Sequence, residues 1–412
     1  MKRLGWILVL LMAASPAWAT KKVNIQELKD LLVSLQQAKK TDGEVAAELE
    51  QVQLTEQLTR ATMNGLNSYI PGPFSTEQFF VLEAASAALA PPPADLPTAP
   101  APDAAAQKAI LDKANDYVTR SYAQLPHLTG TKSTFRFQDN METGQPSPEA
   151  QAGAKPAAPA VDPWQVVHFF GSIETPLDFA NGGETVIVTK EKLQDHSAQI
   201  NALSQGPVLS SVLQEARAAG PLNWLRWETV NGTQVAVFSF AVDKKKSHYA
   251  VNYCCFSATP VGGTDNMSRG NYGERGGVSV DPTTSTQSIS GMGAAFNNGM
   301  PRLPGTDWRG YKGTVPYHGE LFVDPATGVV VRLVTVAEFK ANDLVQLENQ
   351  RIDYSSVDVG GKTLVLPLKA FINTEEVPNG YGGYGKHPNR HTLFTIDYKD
   401  YKPASGTSAE HK

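Results

Sequence analysis

From Val23 onward, apolar residues recur at helical spacing. Ile25, Leu28, Leu31, Leu32 and Leu35 share a stripe, and Asn24 with Glu27 forms a capping-box pattern ahead of it. The box recurs at Thr41 and Glu44, before Val45, Leu49, Val52 and Leu58, which predicts a second helix through that run. Ser75 with Gln78, after Pro71-Gly72-Pro73, predicts a third. Three short amphipathic helices over 20–90 must bury their stripes together, as a small helical bundle. Residues 91–107, opening on Pro91-Pro92-Pro93, read as an extended Pro/Ala linker. A fourth helix carries Ile110, Leu111, Ala114, Tyr117, Val118 and Tyr122 on one side.

From Thr131 the period changes to two. Residues 134–138, 164–170 and 184–188 alternate as strands do. Pro207 to Ala219 interrupts them with one inserted helix that exits at Gly220. Asn231-Gly232 then marks a tight hairpin, and Ala236, Phe238 and Phe240 share a face beyond it. Asp324-Pro325-Ala326-Thr327-Gly328 and Gly360-Gly361 are further turns, and strands at 363–370 and 392–398 close the pattern. Residues 144–163 read as a disordered surface loop, 256–311 as a long excursion between strands, and 404–412 as a disordered tail. The fold class is α+β: a helical bundle, then over 108–403 a curved antiparallel sheet, a meander of roughly ten strands without a βαβ rhythm.

The N-terminus changes the picture of where this fold works. Lys2 and Arg3, the apolar run Leu4 to Ala14, and Ala17-Trp18-Ala19 form a secretory signal with cleavage after Ala19, which implies a periplasmic or secreted protein. No later apolar run is long enough to span a bilayer. The net charge of -5 and the absence of a Lys/Arg run beyond Lys244-Lys245-Lys246 argue against a nucleic-acid partner. Cys254 and Cys255, the two cysteines, are adjacent in a strand-like segment, where period two points them to opposite faces. One buried and one exposed thiol is the plain reading, and a strained vicinal disulfide the alternative.

Candidate chemistry is sparse. There is no nucleophile elbow, zinc-binding helix motif, P-loop or dinucleotide fingerprint, and nothing calls for a cofactor or metal. His387 and His391 have metal-like spacing but flank Pro388; His168, His196, His248 and His318 are scattered, with His248 and His318 each expected in a strand, where they could approach each other. Asp324 reads as a turn residue and Glu320 as its strand neighbour. Trp224, Trp227, Phe238, Phe240 and Phe169 could line an apolar-ligand pocket or simply form core.

The segments Tyr317 to Leu333, with its D-P-A-T-G turn and returning Arg332, and Ile352 to Leu368, with Gly360-Gly361 before Pro367, resemble the LolA/LppX-type half-barrel carriers. That resemblance, over 315–399, implies a curved sheet with helices across its concave face and a lipid or lipoprotein acyl chain as ligand. The whole mature chain resembles an uncharacterised family of exported acidobacterial proteins, through Val45-Ala-Ala-Glu-Leu49, Gly206-Pro-Val-Leu209, Trp224 with Trp227-Glu228, and Lys246-Ser-His-Tyr249 to Cys255. The expected function is non-catalytic: a binding or carrier protein with an apolar cavity, and a protein partner for the N-terminal helices. The alternatives are a hydrolase with its site in the 256–311 loop and a purely structural interaction module.

Overall fold

The computed structural model describes residues 21–139, 167–184, 207–257, 295–297, 300–302, 308–341, 343, 345–376 and 390–404. The expected loop at 144–163, most of the 256–311 excursion, His196, His387 and the side chains of Cys254 and Cys255 lie outside the described residues.

The chain opens with helices α1 (Ile25–Gln37), α2 (Asp42–Leu49), α3 (Arg60–Leu66) and α4 (Pro73–Ala85), and with a parallel pair of short strands, β1 (Lys21–Val23) and β2 (Val52–Leu54). Both capping boxes form: Glu27 N donates to Asn24 Oδ1 at 2.8 Å, and Thr41 N to Glu44 Oε2 at 2.9 Å. Helix α2 is shorter than its apolar run predicts. It stops at Leu49, and Val52 and Leu54 are buried in a strand while Gln53 faces out. A period of two over Val52-Gln53-Leu54 satisfies both apolar residues beside β1, which a helix could not do. Helix α3, with Thr59 as its N-cap, is a short element that the apolar stripes do not announce. Leu28, Leu32, Val45, Leu49, Leu58, Met63 and Phe79 close this unit around one core.

Helix α5 (Ala104–Asp116) follows, widening into a π-helical turn through Tyr122. Strands β3 (Leu128–Asp139), β4 (Val167–Ala180) and β5 (Gly183–Glu184) precede helix α6 (Leu209–Ala219). After it come β6 (Asn223–Val230), β7 (Thr233–Val242) and β8 (Ala250–Ser257). Two short strands, β9 (Ala295–Asn297) and β10 (Met300–Arg302), pair with each other, and β11 (Trp308–Thr314) pairs with β8 to close the base of the long excursion. The chain ends in β12 (Tyr317–Val323), β13 (Val330–Ala337), β14 (Val345–Val359), β15 (Lys362–Glu376) and β16 (Arg390–Pro403).

Ten strands form one antiparallel sheet that does not close into a barrel, in the order β5-β4-β3-β16-β15-β14-β13-β12-β7-β6. The expected single meander is instead three runs of sequence-consecutive strands, with β3 to β5 joined to one side of β12 to β16 and β6 to β7 to the other. Tight turns fix the central run, with Gly360 and Gly361 at φ 59° and 79° and Gly328 at 78°. Pairing of β3 with β16 and of β7 with β12 joins residues far apart in sequence, which no turn motif encodes. Helix α6 lies in the connection between one edge of the sheet and the other.

Both faces are covered. Val81, Ala84 and Ala87, on and just after α4, pack on one face against Phe137, Val167, Phe371 and Leu393. The chain then crosses that face: Ala88 meets Val235, Val237, Phe322 and Val334, and Pro91 and Pro92 are buried. It reaches β6, where Trp227 Nε1 donates to the Pro100 carbonyl at 2.8 Å, before α5 packs on the opposite face. The Pro/Ala segment is thus packed against the sheet, and its helix begins at Ala104, inside the stretch read as linker.

Candidate functional site

The face under α5 and α6 holds the main core. Cross-strand pairing places Phe238, Leu321 and Leu333 in one row and Ala236 beside Val323 in the next. Against them lie Ile110, Ala114, Val118 and Tyr122 from α5 and its π turn, and Leu209, Val212, Leu213 and Ala216 from α6. Each of the Val, Leu, Ile and Phe side chains contributes roughly 1.5–3 kcal/mol when fully buried. Helix α5 is also fastened at its end: Lys113 Nζ donates to the Pro325 and Ala326 carbonyls, each at 3.1 Å, over the Asp324–Gly328 turn.

A second apolar cluster occupies the same face further along the long strands. Ala370, Ile372, Phe394 and Ile396 are buried together, and Ile352 and Tyr398 pack both against them and against the α5/α6 core. Beside them a cavity of about 40 Å³ opens at the start of α6, lined among others by Pro207, Val208, Leu209, Gln350, Ile352, Tyr354 and Tyr398. That volume holds a water or two and no acyl chain as it stands.

Polar side chains border this second cluster. Thr134 pairs with Ile396, Gln138 with Thr392, and Gln350 with Ile372, so all three share the face of the apolar cluster. Thr134 Oγ1, Gln138 Oε1, Gln350 Oε1 and Thr392 Oγ1 are buried and make no hydrogen bond. An unmade hydrogen bond of this kind costs about 1–3 kcal/mol. The alternation 134–138 contained a signal for them, because Thr134, Arg136 and Gln138 occupy the positions between Phe135 and Phe137. Arg136 is engaged between aromatic rings, 5.2 Å from the Phe170 centroid and 5.5 Å from that of Phe394.

The aromatics nominated from sequence separate into three places. Trp224, Trp227 and Phe238 form one edge-to-face cluster, with Trp224 4.9 Å from Trp227 and 5.6 Å from Phe238 between ring centroids. Phe240 packs edge-on to Tyr317 at 6.1 Å, inside the α5/α6 core. Phe169 stands apart, 45% exposed and beside Phe137.

Charged groups do structural work on both faces. Glu215 of α6 is buried and accepts from the Tyr317 hydroxyl at 2.9 Å and from His248 N at 3.2 Å, while its other oxygen meets His248 Nδ1. Tyr249, edge-on to Tyr317, donates to Glu348 at 2.6 Å. On the α4 face a ladder runs Glu320–Arg226–Glu228–Arg332–Asp353–Arg351, with contacts of 2.6 to 3.1 Å and Phe322 beneath two of the guanidiniums. Asp353 is half-buried, and loss of water favours its neutral form, yet Arg351 and Arg332 outweigh that and hold its carboxyl below the usual range.

Among the described residues the histidines do not converge, and His248 lies just ahead of β8 rather than in a strand. His248 binds Glu215, whereas His318 binds Glu338. His168 hydrogen-bonds Glu77 of α4, which raises its pKa, and burial lowers that of His391. Asp324 accepts from Ala326 N at 2.9 Å and from Thr327 Oγ1 at 2.7 Å, so it serves its own turn. Among the described residues no group of His, Cys, Asp and Glu is arranged to hold a metal ion, and no helix is long and apolar enough to cross a membrane.

No family model, curated protein or solved structure matches this chain.

Proposed function

We propose that this chain is an exported, non-catalytic binding or carrier protein that holds an apolar or amphiphilic molecule on the α5/α6 face of its sheet. The observation that carries the reading is the second apolar cluster. Ile372, Phe394 and Ile396 lie outside the core that α5 and α6 fill, and share Ile352 and Tyr398 with the cavity at the start of α6. Phe238 and Phe240 already fill the space beneath the two helices, so the ligand would lie beyond them, along the long strands. A curved, half-barrel course of the sheet, as the likeness of 315–399 to the LolA/LppX carriers implies, would wrap that strip around an acyl chain. Transfer of each methylene from water contributes about 0.8 kcal/mol.

Displacement of a fluorescent fatty acid, read beside native mass spectrometry of the purified protein, tests this. Micromolar displacement or a co-purified lipid supports it; neither, with the strip filled in an experimental structure, removes it. Export is tested by N-terminal sequencing of the protein recovered outside the cytoplasm, which should begin at Thr20. A second reading, docking of a protein through the N-terminal helices, draws on Phe74, 63% exposed on α4. Phe74→Ser should abolish capture of such a partner while leaving fatty-acid displacement unchanged.

A further inference from the structure

Resting on that carrier reading, we propose that Gln138 and Thr392 form the head-group site of the ligand, and that the head is uncharged and carries hydroxyl groups. The two residues are directly paired across β3 and β16, both more than nine-tenths buried, and each has a polar atom without a hydrogen bond, Gln138 Oε1 and Thr392 Oγ1. An amide oxygen only accepts, and a threonine hydroxyl donates or accepts, so their complement is a group that brings its own donor. A hydroxyl does this; a carboxylate or a methyl ester offers acceptors alone.

Burial of Gln138 and Thr392 also disfavours an ionised head, because taking a charge out of water costs far more than taking out a neutral hydroxyl that is hydrogen-bonded. From Thr392 the face continues through Phe394 and Ile372 to Ile352 and the cavity at the start of α6, an apolar path for the chain of the same molecule. Thr134 and Gln350, also buried with unbonded oxygens, flank that path and suit an amphiphile with oxygen functions beyond its head. Monoacylglycerols and glycolipids with short sugar heads have this chemistry.

The test compares 1-monooleoylglycerol, methyl oleate and oleate on the wild-type protein and on Q138M, T392V and the double variant. The wild type should bind the monoacylglycerol at least about tenfold more tightly than methyl oleate, the ratio that one buried hydrogen bond supports. The double variant should bring the two to parity through loss of the monoacylglycerol affinity, with methyl oleate binding kept. The ligand-free variants should melt at or above the wild-type temperature, because an unpaired buried oxygen has been removed. Equal binding of all three probes by the wild type, or an undiminished preference in the double variant, overturns the head-group site and leaves the carrier reading standing. Tighter binding of oleate than of the monoacylglycerol overturns the uncharged head in the same way. Binding of none of them overturns both. Should the double variant fail to fold, T392V alone reads the same ratio.

Discussion

Glu215 accepts a hydrogen bond from the Tyr317 hydroxyl at 2.9 Å, joining the buried side of α6 to the first strand of the central meander. The same carboxylate receives the His248 backbone amide at 3.2 Å, so one side chain fixes α6, β12 and the approach to β8. Burial and this hydrogen bond both push the Tyr317 phenol far above its ordinary pKa, so it stays a donor across the physiological range. Tyr317→Phe should cost about 1–2 kcal/mol in urea unfolding, and Glu215→Leu about 2–4 kcal/mol, since it leaves a buried hydroxyl and an amide unpaired. A double-mutant cycle that shows no coupling between the two would contradict the linkage.

Arg332 and Asp353 sit at the middle of the ladder, 2.6 Å apart and part-buried. Asp353 has a folded pKa below its unfolded value, so its contribution is complete above the unfolded value, near 3.9, and fades as pH falls through the folded one. Stability should therefore drop steeply below about pH 4. Asp353→Asn should lower the melting temperature at pH 7 and flatten that acid limb; an unchanged limb would show that Asp353 is not its source.

His168 joins β4 to α4 through Glu77 and has a raised folded pKa, the Glu77 hydrogen bond being the main cause. Stabilisation by this pair is complete below the unfolded histidine value, near 6.5, and is lost as pH rises through the folded one. Amide exchange in α4 should accelerate across that interval. Glu77→Gln should remove the dependence, and a wild-type exchange profile that is flat from pH 6 to 8 would refute it.

Two glycines should respond oppositely to alanine. A Cβ on Gly319 would lie 2.0 Å from the Val334 carbonyl oxygen and 2.7 Å from Phe240, inside the packed sheet. Gly319→Ala should destabilise by about 3 kcal/mol or prevent folding. At Gly65, inside α3, nothing lies within 4 Å of the added carbon, so Gly65→Ala should stabilise by about 0.5–1 kcal/mol. Thermal melts of the two variants decide both.

The sequence by itself determined what depends on near neighbours. The capping boxes at Asn24 and Thr41, the hairpin at Asn231-Gly232 and the Asp324 turn are each closed by bonds within a few residues, so their motifs suffice. The inward row Ala236, Phe238 and Phe240 was legible for the same reason, because a strand fixes which side chains share a face. Tertiary structure decided the rest. Whether Val52 and Leu54 continued a helix or paired with β1 depended on a strand some thirty residues earlier. The flanking of the meander by β3 and β7, and the path of residues 88–100 across the α4 face, are set by long-range pairing and burial that no local pattern specifies. The candidate site shows the division most plainly. Alternation places Thr134 and Gln138 on one side of a strand, but only the assembled sheet puts them beside Phe394 and Thr392 and withholds hydrogen-bond partners from them, because burial is a property of the neighbours and not of the residue.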